Sequence, residues 1–279
     1  MLAVAAVLLT ACHDDEVEPT PEPAGDDTPV LLLGPPRDTV FEAMGVRFNM
    51  IYVPAGSFTM GASTTPGSDA YDAMADAIEA PPHTVTLDGF LIGDVEVSQL
   101  LYYKVMQSNP SFPFDLLLPL NNLTFSQAEA FLDTLSIATG YRFRMPTEAE
   151  WEYAARCAGR DAALYVGGAE VDSVAWWQGN AGEELHGLGL LTPNALGLYD
   201  MSGNVMEWCS DWMADYDAAP QTNPQGPSRP SYPSQQRRAV RGGSYQQGKV
   251  WQRCTARQFH YPSSQNPEIG LRLVMSVAK

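Results

Sequence analysis

The sequence is poor in positive charge and in recognisable metal-ligand patterns. Its 279 residues include 16 Lys and Arg against 33 Asp and Glu, which gives a formal net charge of −17. Nucleic-acid binding requires a positive surface, so this balance argues against a nucleic-acid partner. The four cysteines form no CxxC pair and the four histidines are scattered. Neither a zinc cluster nor a three-histidine iron site is therefore predicted.

A long apolar run is missing as well. The stretch MLAVAAVLLTAC (1–12) is apolar but too short to cross a bilayer as a helix. Small residues precede Cys12, and the stretch resembles a bacterial lipoprotein signal peptide, in which cleavage leaves this cysteine as the lipidated N-terminus. The usual positive n-region is missing, and a cytosolic protein with an apolar N-terminus is the alternative. We expect residues 1–12 to be the signal peptide and Cys12 to carry the membrane anchor.

The segment that follows has few residues able to form a core. Residues 13–45 begin with HDDEVEPTPEPAGDD (13–27), and their charge and proline content predict an extended linker. An acidic run directly after a lipidated cysteine resembles the surface-export signals of some Gram-negative lipoproteins. We therefore expect a bacterial outer-membrane lipoprotein, periplasmic or surface-exposed, in a compartment that permits disulfides.

Long periodic segments are few in the predicted folded domain, residues 46–279. Short strands are predicted in FNMIYVPAGSFTMG (48–61) and HTVTLDGFLIGDVEVS (83–98). Three helices should begin at Ser98, at Ser126 and at Thr147, the last two with a capping box of the S/T-x-x-E type. After Ala158 short apolar stretches alternate with turn residues. The pattern predicts an α+β fold with little regular secondary structure.

Six long motifs, in order along the chain, resemble one protein family. They are VPAGSFTMG (53–61), EVSQLLYYKVM with NPSF (96–112), YRFRMPTEAEWEYAAR (141–156), PNALGLYDMSGNVMEWCSDW (193–212), VRGGSY (240–245) and GLRLV (270–274). On these motifs the chain is identified as a member of the formylglycine-generating enzyme, or sulfatase-modifying factor, domain family. The resemblance implies an α+β, C-type lectin-like fold. On physical grounds we expect Arg144, Arg241 and Arg272, which lie in these motifs, to pair with buried carboxylates and not to act in catalysis.

One motif resembles a calcium-binding segment. Asp200–Glu207 carries two carboxylates around a Gly-containing turn, and calcium accepts six to eight oxygen ligands in irregular geometry. In the family this segment binds structural Ca²⁺. The resemblance implies as ligands the side chains of Asp200 and Glu207 and the carbonyls of Gly203 and Val205. Capping and salt-bridge roles are the alternative.

The resemblance also bears on catalysis. Oxidase members of the family hold Cu(I) between two cysteines and convert a substrate cysteine into formylglycine with O₂. The matching positions here are Gln247 and Gln252, and an amide oxygen does not replace a thiolate as a ligand of the soft cuprous ion. We therefore expect no copper and no oxidase activity. A second, iron-dependent branch needs a further domain with three histidines, for which this chain has no matching motif.

The segment after RGGSY then becomes a candidate binding surface. In lectin-like folds it runs through the ligand-binding face, and aromatic and adaptable polar side chains are typical of recognition surfaces. The candidates are Gln246, Gln247, Lys249, Trp251, Gln252, Gln258, Phe259, His260 and Tyr261. The expected ligand is a protein or a glycan. The alternatives are an ordinary loop with core aromatics, an oxidase with a different ligand set, an envelope scaffold, and the variable protein of a diversity-generating retroelement.

The resemblance finally implies a disulfide. The motifs EWC and RCTAR often carry cysteine together in the family, so Cys209 and Cys254 are expected to pair and Cys157 to be free. Cys157–Cys254 is the rival pairing. In the oxidizing compartment expected above, such a bond would close a loop of about 45 residues and stabilise the domain by about 3–4 kcal/mol.

Overall fold

We describe the protein from a computed structural model, in which residues 38–230 and 236–277 are placed well enough to describe. Its strands are β1 (Thr39–Ala43), β2 (Val46–Val53), β3 (Gly56–Met60), β4 (His83–Leu87), β5 (Phe90–Gly93), β6 (Ala175–Trp176), β7 (Ser202–Gly203), β8 (Met206–Trp212), β9 (Gln221–Thr222), β10 (Arg238–Arg241), β11 (Gln258–His260), β12 (Ile269–Gly270) and β13 (Val274–Ser276). Its helices are α1 (Gln99–Met106), α2 (Phe125–Thr139), α3 (Glu148–Ala155) and α4 (Val171–Val174), with 3₁₀ turns at Ala77–Glu79 and Lys249–Gln252.

The strands form two four-stranded sheets and two smaller ones. The first sheet is antiparallel with the order β1-β2-β5-β13, and the second has the order β11-β10-β8-β12. The smaller sheets have the orders β3-β4-β9 and β6-β7. Helices α1 and α2 pack on the first sheet, and α3 lies between β3 and the second sheet. This mixed architecture confirms the predicted α+β fold class.

The domain starts earlier than the predicted boundary at Val46. Strand β1 lies inside the stretch 13–45 that the sequence assigned to the linker, and it pairs with β2 along its whole length. Its sequence TVFEA alternates, so that Phe41 and Ala43 enter the main core while their neighbours stay at the surface. The predicted signal peptide, Cys12 and the acidic run 13–27 lie outside the described residues. Among the described helices, none is long and apolar enough to cross a membrane.

The predicted helix starts are mostly confirmed. Ser98 caps α1, and Thr147 and Glu150 form the capping box of α3. The start of α2 was placed two residues too late, because Thr124 and Gln127 form its capping box rather than Ser126 and Glu129. The apolar residues of α2 that recur with helical spacing are buried, namely Ala128, Phe131, Leu132 and Leu135. Local capping patterns therefore locate the helices well where one candidate cap stands alone.

The predicted disulfide is wrong, because the three cysteines of the described residues are free and buried. The Cys254 thiol donates to the carbonyl of Ala163 at 3.4 Å, while the Cys209 thiol lies 4.0 Å from the carbonyl of Glu207. The two thiols thus belong to one core but contact different backbone groups. Burial raises the pKa of Cys254 to about 12 and that of Cys209 well above its usual range. Both therefore behave as inert core residues.

Candidate functional site

Buried arginines tie the interior of the domain together. Arg241, Arg253, Arg257 and Arg272 are each fully buried and paired with a carboxylate. From β10, Arg241 donates to Glu152 at 2.6 Å and to Glu148 at 3.3 Å, both on α3. The predicted pairing of Arg144, Arg241 and Arg272 with carboxylates is thereby confirmed. These pairs fix the ends of β10 and α3 on which the RGGSY segment is built.

The two glycines of RGGSY allow a tight turn after β10. Gly242 and Gly243 have φ values of +98° and +72°, a region that L side chains rarely adopt. A Cβ atom on Gly243 would overlap the side chain of Gln252 and would lie 2.6 Å from the carbonyl of Trp251. The turn is therefore packed directly against Gln252.

Gln252 is a structural anchor, which corrects its prediction as a ligand-binding residue. Its side chain is fully buried, and its amide nitrogen lies 3.1 Å from the carbonyls of Ser244 and Gln247 and 3.4 Å from that of Gly248. Three backbone carbonyls of the turn thus converge on one side-chain donor. A residue with these contacts has no surface left for an external ligand.

Gln247, at the first copper position, is engaged by a second glutamine. Its amide nitrogen donates to Gln258 at 2.8 Å, and the amide nitrogen of Gln258 donates back at 2.9 Å. Both side chains are half-buried. The pair joins the turn to the edge strand β11, so a ligand would have to open it before either amide became available.

The remaining predicted binding residues differ in exposure. Gln246, Lys249, Phe259 and Tyr261 are exposed, whereas Trp251 and His260 are half-buried. The ring of His260 meets Trp208 edge-on, and burial lowers its pKa, partly opposed by the charge of Glu268. The structure therefore keeps a subset of the predicted surface on β11 and the turn.

Arg237 also belongs to this surface, although the sequence did not predict it. Its guanidinium carbon lies 4.2 Å from the ring centre of Phe259 and 5.8 Å from that of Tyr261. Arginine over an aromatic face is a favourable cation–π arrangement. We call Arg237, Phe259 and Tyr261 the aromatic–arginine cluster. Nothing local marks Arg237, because its partners come from the neighbouring strand and the residue after it.

Glu207, a predicted calcium ligand, is already saturated. Arg272 donates to both of its oxygens at 2.7–3.0 Å, and the indole nitrogen of Trp151 donates to the second oxygen at 2.7 Å. Each carboxylate oxygen offers two lone pairs, so none remains for a cation. The structure thus assigns Glu207 to the salt-bridge role that was the alternative.

Asp200 has the opposite environment. It is buried, its Oδ2 accepts from the backbone nitrogen of Gly189 at 2.7 Å, and its Oδ1 has no hydrogen-bond partner. Gly203 and Val205 are also buried, and a Cβ on Gly203, whose φ is +84°, would overlap the backbone of Trp176. A buried carboxylate oxygen without a hydrogen-bond donor is an atom that a cation could coordinate.

The charges around Asp200 are unbalanced. The carboxylates of Glu96, Asp200 and Glu207 interact with one another and with one guanidinium, that of Arg272. Burial raises the pKa of Glu96 well above its usual range and also that of Asp200, and the neighbouring carboxylates add to both shifts. Two negative charges are in excess when all three acids are ionised, which fits a divalent cation. No set of three or more His, Cys, Asp or Glu side chains within 38–230 and 236–277 is arranged to hold a metal ion.

A separate acidic cavity lies beside α3. It has a volume of about 360 Å³, and its walls include Asp211, Asp215, Trp212 and Tyr216. Asp211 is buried, and its Oδ2 accepts from the backbone nitrogen of Glu148 at 2.9 Å at the start of α3. Burial, reinforced by the charges of Glu148 and Glu150, raises its pKa from 3.8 to about 7.

We expect Asp211 to weaken the fold as the pH rises. The unfolded state loses this proton near pH 4 and the folded state near pH 7, so the folded state binds more protons between these values. The free energy of unfolding should therefore fall by about 2–4 kcal/mol between pH 4 and 7 through this group. Urea unfolding of Asp211→Asn should lack this decline, whereas Asp215→Asn, an exposed neighbour, should keep it. An identical decline in Asp211→Asn would contradict the assignment.

The sheets, the ion-paired interior and the glycine turn define an α+β domain of the C-type lectin-like class. The chain belongs to the family of sulfatase-modifying factor enzyme 1-like domains, whose pattern matches residues 40–277. It is 29% identical over 287 residues to the formylglycine-generating enzyme of Mus musculus, covering 80% of this chain and 74% of that protein. The family resemblance inferred from the six motifs is thereby confirmed.

Two solved structures are similar over nearly their whole length. Variable protein 1 of Treponema denticola is 29% identical with a TM-score of 0.75, covering 86% of this chain and 99% of that chain. PvdO from Pseudomonas aeruginosa is 25% identical with a TM-score of 0.70, covering 86% of this chain and 98% of that chain. A shared fold does not establish a shared function, so the residues of the site must decide it.

Proposed function

We propose that this chain is a non-catalytic binding or scaffold protein of the cell envelope. The observation that carries the proposal is the role of Gln252, whose amide holds three backbone carbonyls where the oxidases have a copper cysteine. Gln247 is paired with Gln258 at the other copper position. The site therefore has the scaffold of the family without the soft donors that Cu(I) requires.

An assay for formylglycine tests the catalytic part of this proposal. The full chain is incubated with Cu(I), O₂ and a Cys-x-Pro-x-Arg peptide, and aldehyde is trapped with a hydrazide. We expect no aldehyde above the protein-free background. Turnover would establish the alternative, a formylglycine-generating oxidase with a different ligand set.

The binding face is proposed to be the aromatic–arginine cluster together with Gln246 and Lys249. Exposed aromatic and arginine side chains contribute strongly to binding where they cluster. Glycan and protein arrays probed with the full chain should yield a ligand whose affinity falls about tenfold or more in Tyr261→Ser and in Arg237→Ser. The matched control is Tyr71→Ser, because both tyrosines are 49% exposed. Equal loss in the control would reject this face.

A variable ligand-binding protein is the second candidate. The similarity to variable protein 1 of Treponema denticola supports it. In that case, sequences from different isolates should vary at Gln246, Lys249, Phe259 and Tyr261 and remain constant at the buried Gln252. Uniform conservation across all of these positions would exclude it.

We further propose that Cys12 is lipidated and anchors the protein in the outer membrane, on its periplasmic or outer face. The residues LTAC before the acidic run support this. Labelled palmitate should enter the full chain and not Cys12→Ser, and the label should fractionate with outer membranes. Label in Cys12→Ser, or in the inner membrane, would contradict the proposal.

We propose a structural Ca²⁺ at Asp200, with the carbonyls of Gly203 and Val205 as further ligands and Glu207 contributing charge alone. At a hundredfold excess over its dissociation constant, Ca²⁺ should raise the free energy of unfolding by about 2.7 kcal/mol. Thermal melting in Ca²⁺ and in EGTA measures this. Asp200→Ala should abolish the difference, and the exposed Asp133→Ala should retain it. An equal difference in both variants would place the cation elsewhere.

A further inference from the structure

A group of exposed apolar side chains lies outside the candidate binding face. We call it the apolar platform: Tyr103 (38% exposed), Phe112 (71%), Phe114 (62%), Leu117 (75%) and Leu190 (64%). These are five of the twelve large apolar side chains that the described residues expose. Single exposed apolar residues are ordinary, whereas a contiguous patch marks a surface that another molecule covers.

Two contacts join the elements that carry the platform. The rings of Tyr103 and Phe114 meet edge-on at 6.5 Å between centres. Across the loop, Gly187 lies beside both the side chain of Leu190 and the carbonyl of Leu117, at 3.4 and 4.0 Å from its ideal Cβ position. Helix α1 therefore meets the loop 107–118 at Tyr103 and Phe114, and the same loop meets the segment 183–190 beside Leu117 and Leu190.

The backbone beneath the platform is held by two buried amides. Gln99 donates to the carbonyl of Pro113 at 3.0 Å and accepts from the backbone nitrogen of Asp115 at 3.1 Å. Asn121 accepts from the backbone nitrogen of Phe112 at 3.0 Å and donates to its carbonyl at 2.8 Å. Both amide side chains are fully buried. The loop therefore presents Phe112, Phe114 and Leu117 in a pre-organised arrangement, which lowers the entropy cost of binding.

The edge of the platform is acidic. Asp115 lies within the loop, and Glu183 and Glu184 are exposed on the segment that leads to Leu190. Leu185, which follows them, packs with Leu118 beneath the platform. Against these three acids, α1 contributes one exposed base, Lys104. An apolar centre with an acidic edge complements a partner whose apolar side chains are surrounded by basic ones.

We propose that the apolar platform docks an amphipathic protein segment whose apolar side chains are flanked by lysine or arginine. The charge of the edge favours this partner over an anionic lipid surface, and aromatic and leucine side chains on a fixed loop suit a helix laid across them. The platform shares no residue with the aromatic–arginine cluster, with Gln246 or with Lys249. If the platform proves not to bind such a segment, the proposed function is unaffected. If the proposed function is rejected, the docking proposal is likewise unaffected.

The test uses the full chain and a labelled amphipathic peptide of leucine and lysine in a helical pattern, followed by fluorescence anisotropy at physiological salt. The triple variant Phe112→Ser, Phe114→Ser, Leu117→Ser should lose affinity about tenfold or more. Ile137→Ser is the matched control, because Ile137 is 85% exposed on α2 and outside the platform. The charge reversal Glu183→Lys, Glu184→Lys should weaken the binding of this peptide. It should strengthen the binding of a peptide with glutamate in place of lysine.

Three outcomes would overturn the proposal. The triple variant, shown by melting to be folded, could bind the peptide like the unaltered chain. Vesicles of zwitterionic phosphatidylcholine could bind through the same three residues in place of the peptide, which would identify a lipid surface. Sedimentation could reveal self-association that the triple variant lacks, which would identify a second copy of the chain as the occupant.

Discussion

Replacing Arg241 with methionine should lower the free energy of unfolding by about 3–5 kcal/mol. Methionine keeps much of the apolar length of the side chain but removes the guanidinium between Glu148 and Glu152. Glu152 would keep Arg156, and Glu148 would keep Arg257, yet the carbonyls of Cys254 and Thr255 would lose their donor. The cost comes from buried acceptors that lose a donor, at about 1–3 kcal/mol each. These are the second carboxylate oxygen of Glu152 and the two carbonyls.

Arg144→Met is the matched control for this prediction. Arg144 also binds a glutamate of α3 with two hydrogen bonds, at 2.6 and 2.7 Å to Glu150, but its side chain is 32% exposed. Water can replace the lost partner there, so the cost should stay near 1 kcal/mol. Urea unfolding of the two variants measures the difference. Equal losses would mean that burial does not set the strength of these pairs.

The sequence predicts local features of this fold better than it predicts long-range ion pairs. The caps at Ser98 and Thr147 depend on residues three positions apart, so they can be recognised locally. The pairing of the arginines with acids was expected on physical grounds. The particular partner of Arg241 lies 89 positions away on α3, and no local pattern connects the two.

The candidate site was predicted less well, for physical reasons that differ between residues. The family motifs predicted a bond between Cys209 and Cys254, but the sequence carries no information on where their thiols point. Gln252 lies in a stretch without periodicity, so its burial could not be read from the pattern of neighbours. Glu207 looked like a cation ligand until its partner Arg272, 65 positions away, was in place.

Replacing Gln252 with cysteine, the residue of the oxidases at this position, should lower the free energy of unfolding by about 3 kcal/mol. The shorter side chain leaves a small cavity and removes the donor to the carbonyls of Ser244, Gln247 and Gly248. Each of these carbonyls keeps one backbone donor, from Gln247, Gln178 and Trp251 respectively. The cost is therefore that of the lost hydrogen bonds, about 0.5–1.5 kcal/mol each, and not that of unpartnered carbonyls. Gln247→Cys is the matched control, and its cost should stay near 1 kcal/mol because the half-buried Gln258 can turn towards solvent.

Gln252→Glu sharpens this prediction because it changes almost no volume. In Gln252→Glu an oxygen takes the place of the amide nitrogen and faces the same three carbonyls. Repulsion then replaces the hydrogen bonds that the two N–H groups donate, and the loss should exceed that of Gln252→Cys. Urea unfolding measures the loss of stability of each variant. The affinity for Cu(I) of the double variant, Gln247→Cys with Gln252→Cys, is measured by competition with a chromogenic chelator. If the double variant is fully stable and binds copper tightly, the turn can hold a copper site without the amide of Gln252, which would contradict this prediction. If instead the double variant unfolds easily and binds copper weakly, the amide of Gln252 has become part of the scaffold. Introducing two thiols would then not create a copper site, because the turn that must hold them depends on the amide of Gln252.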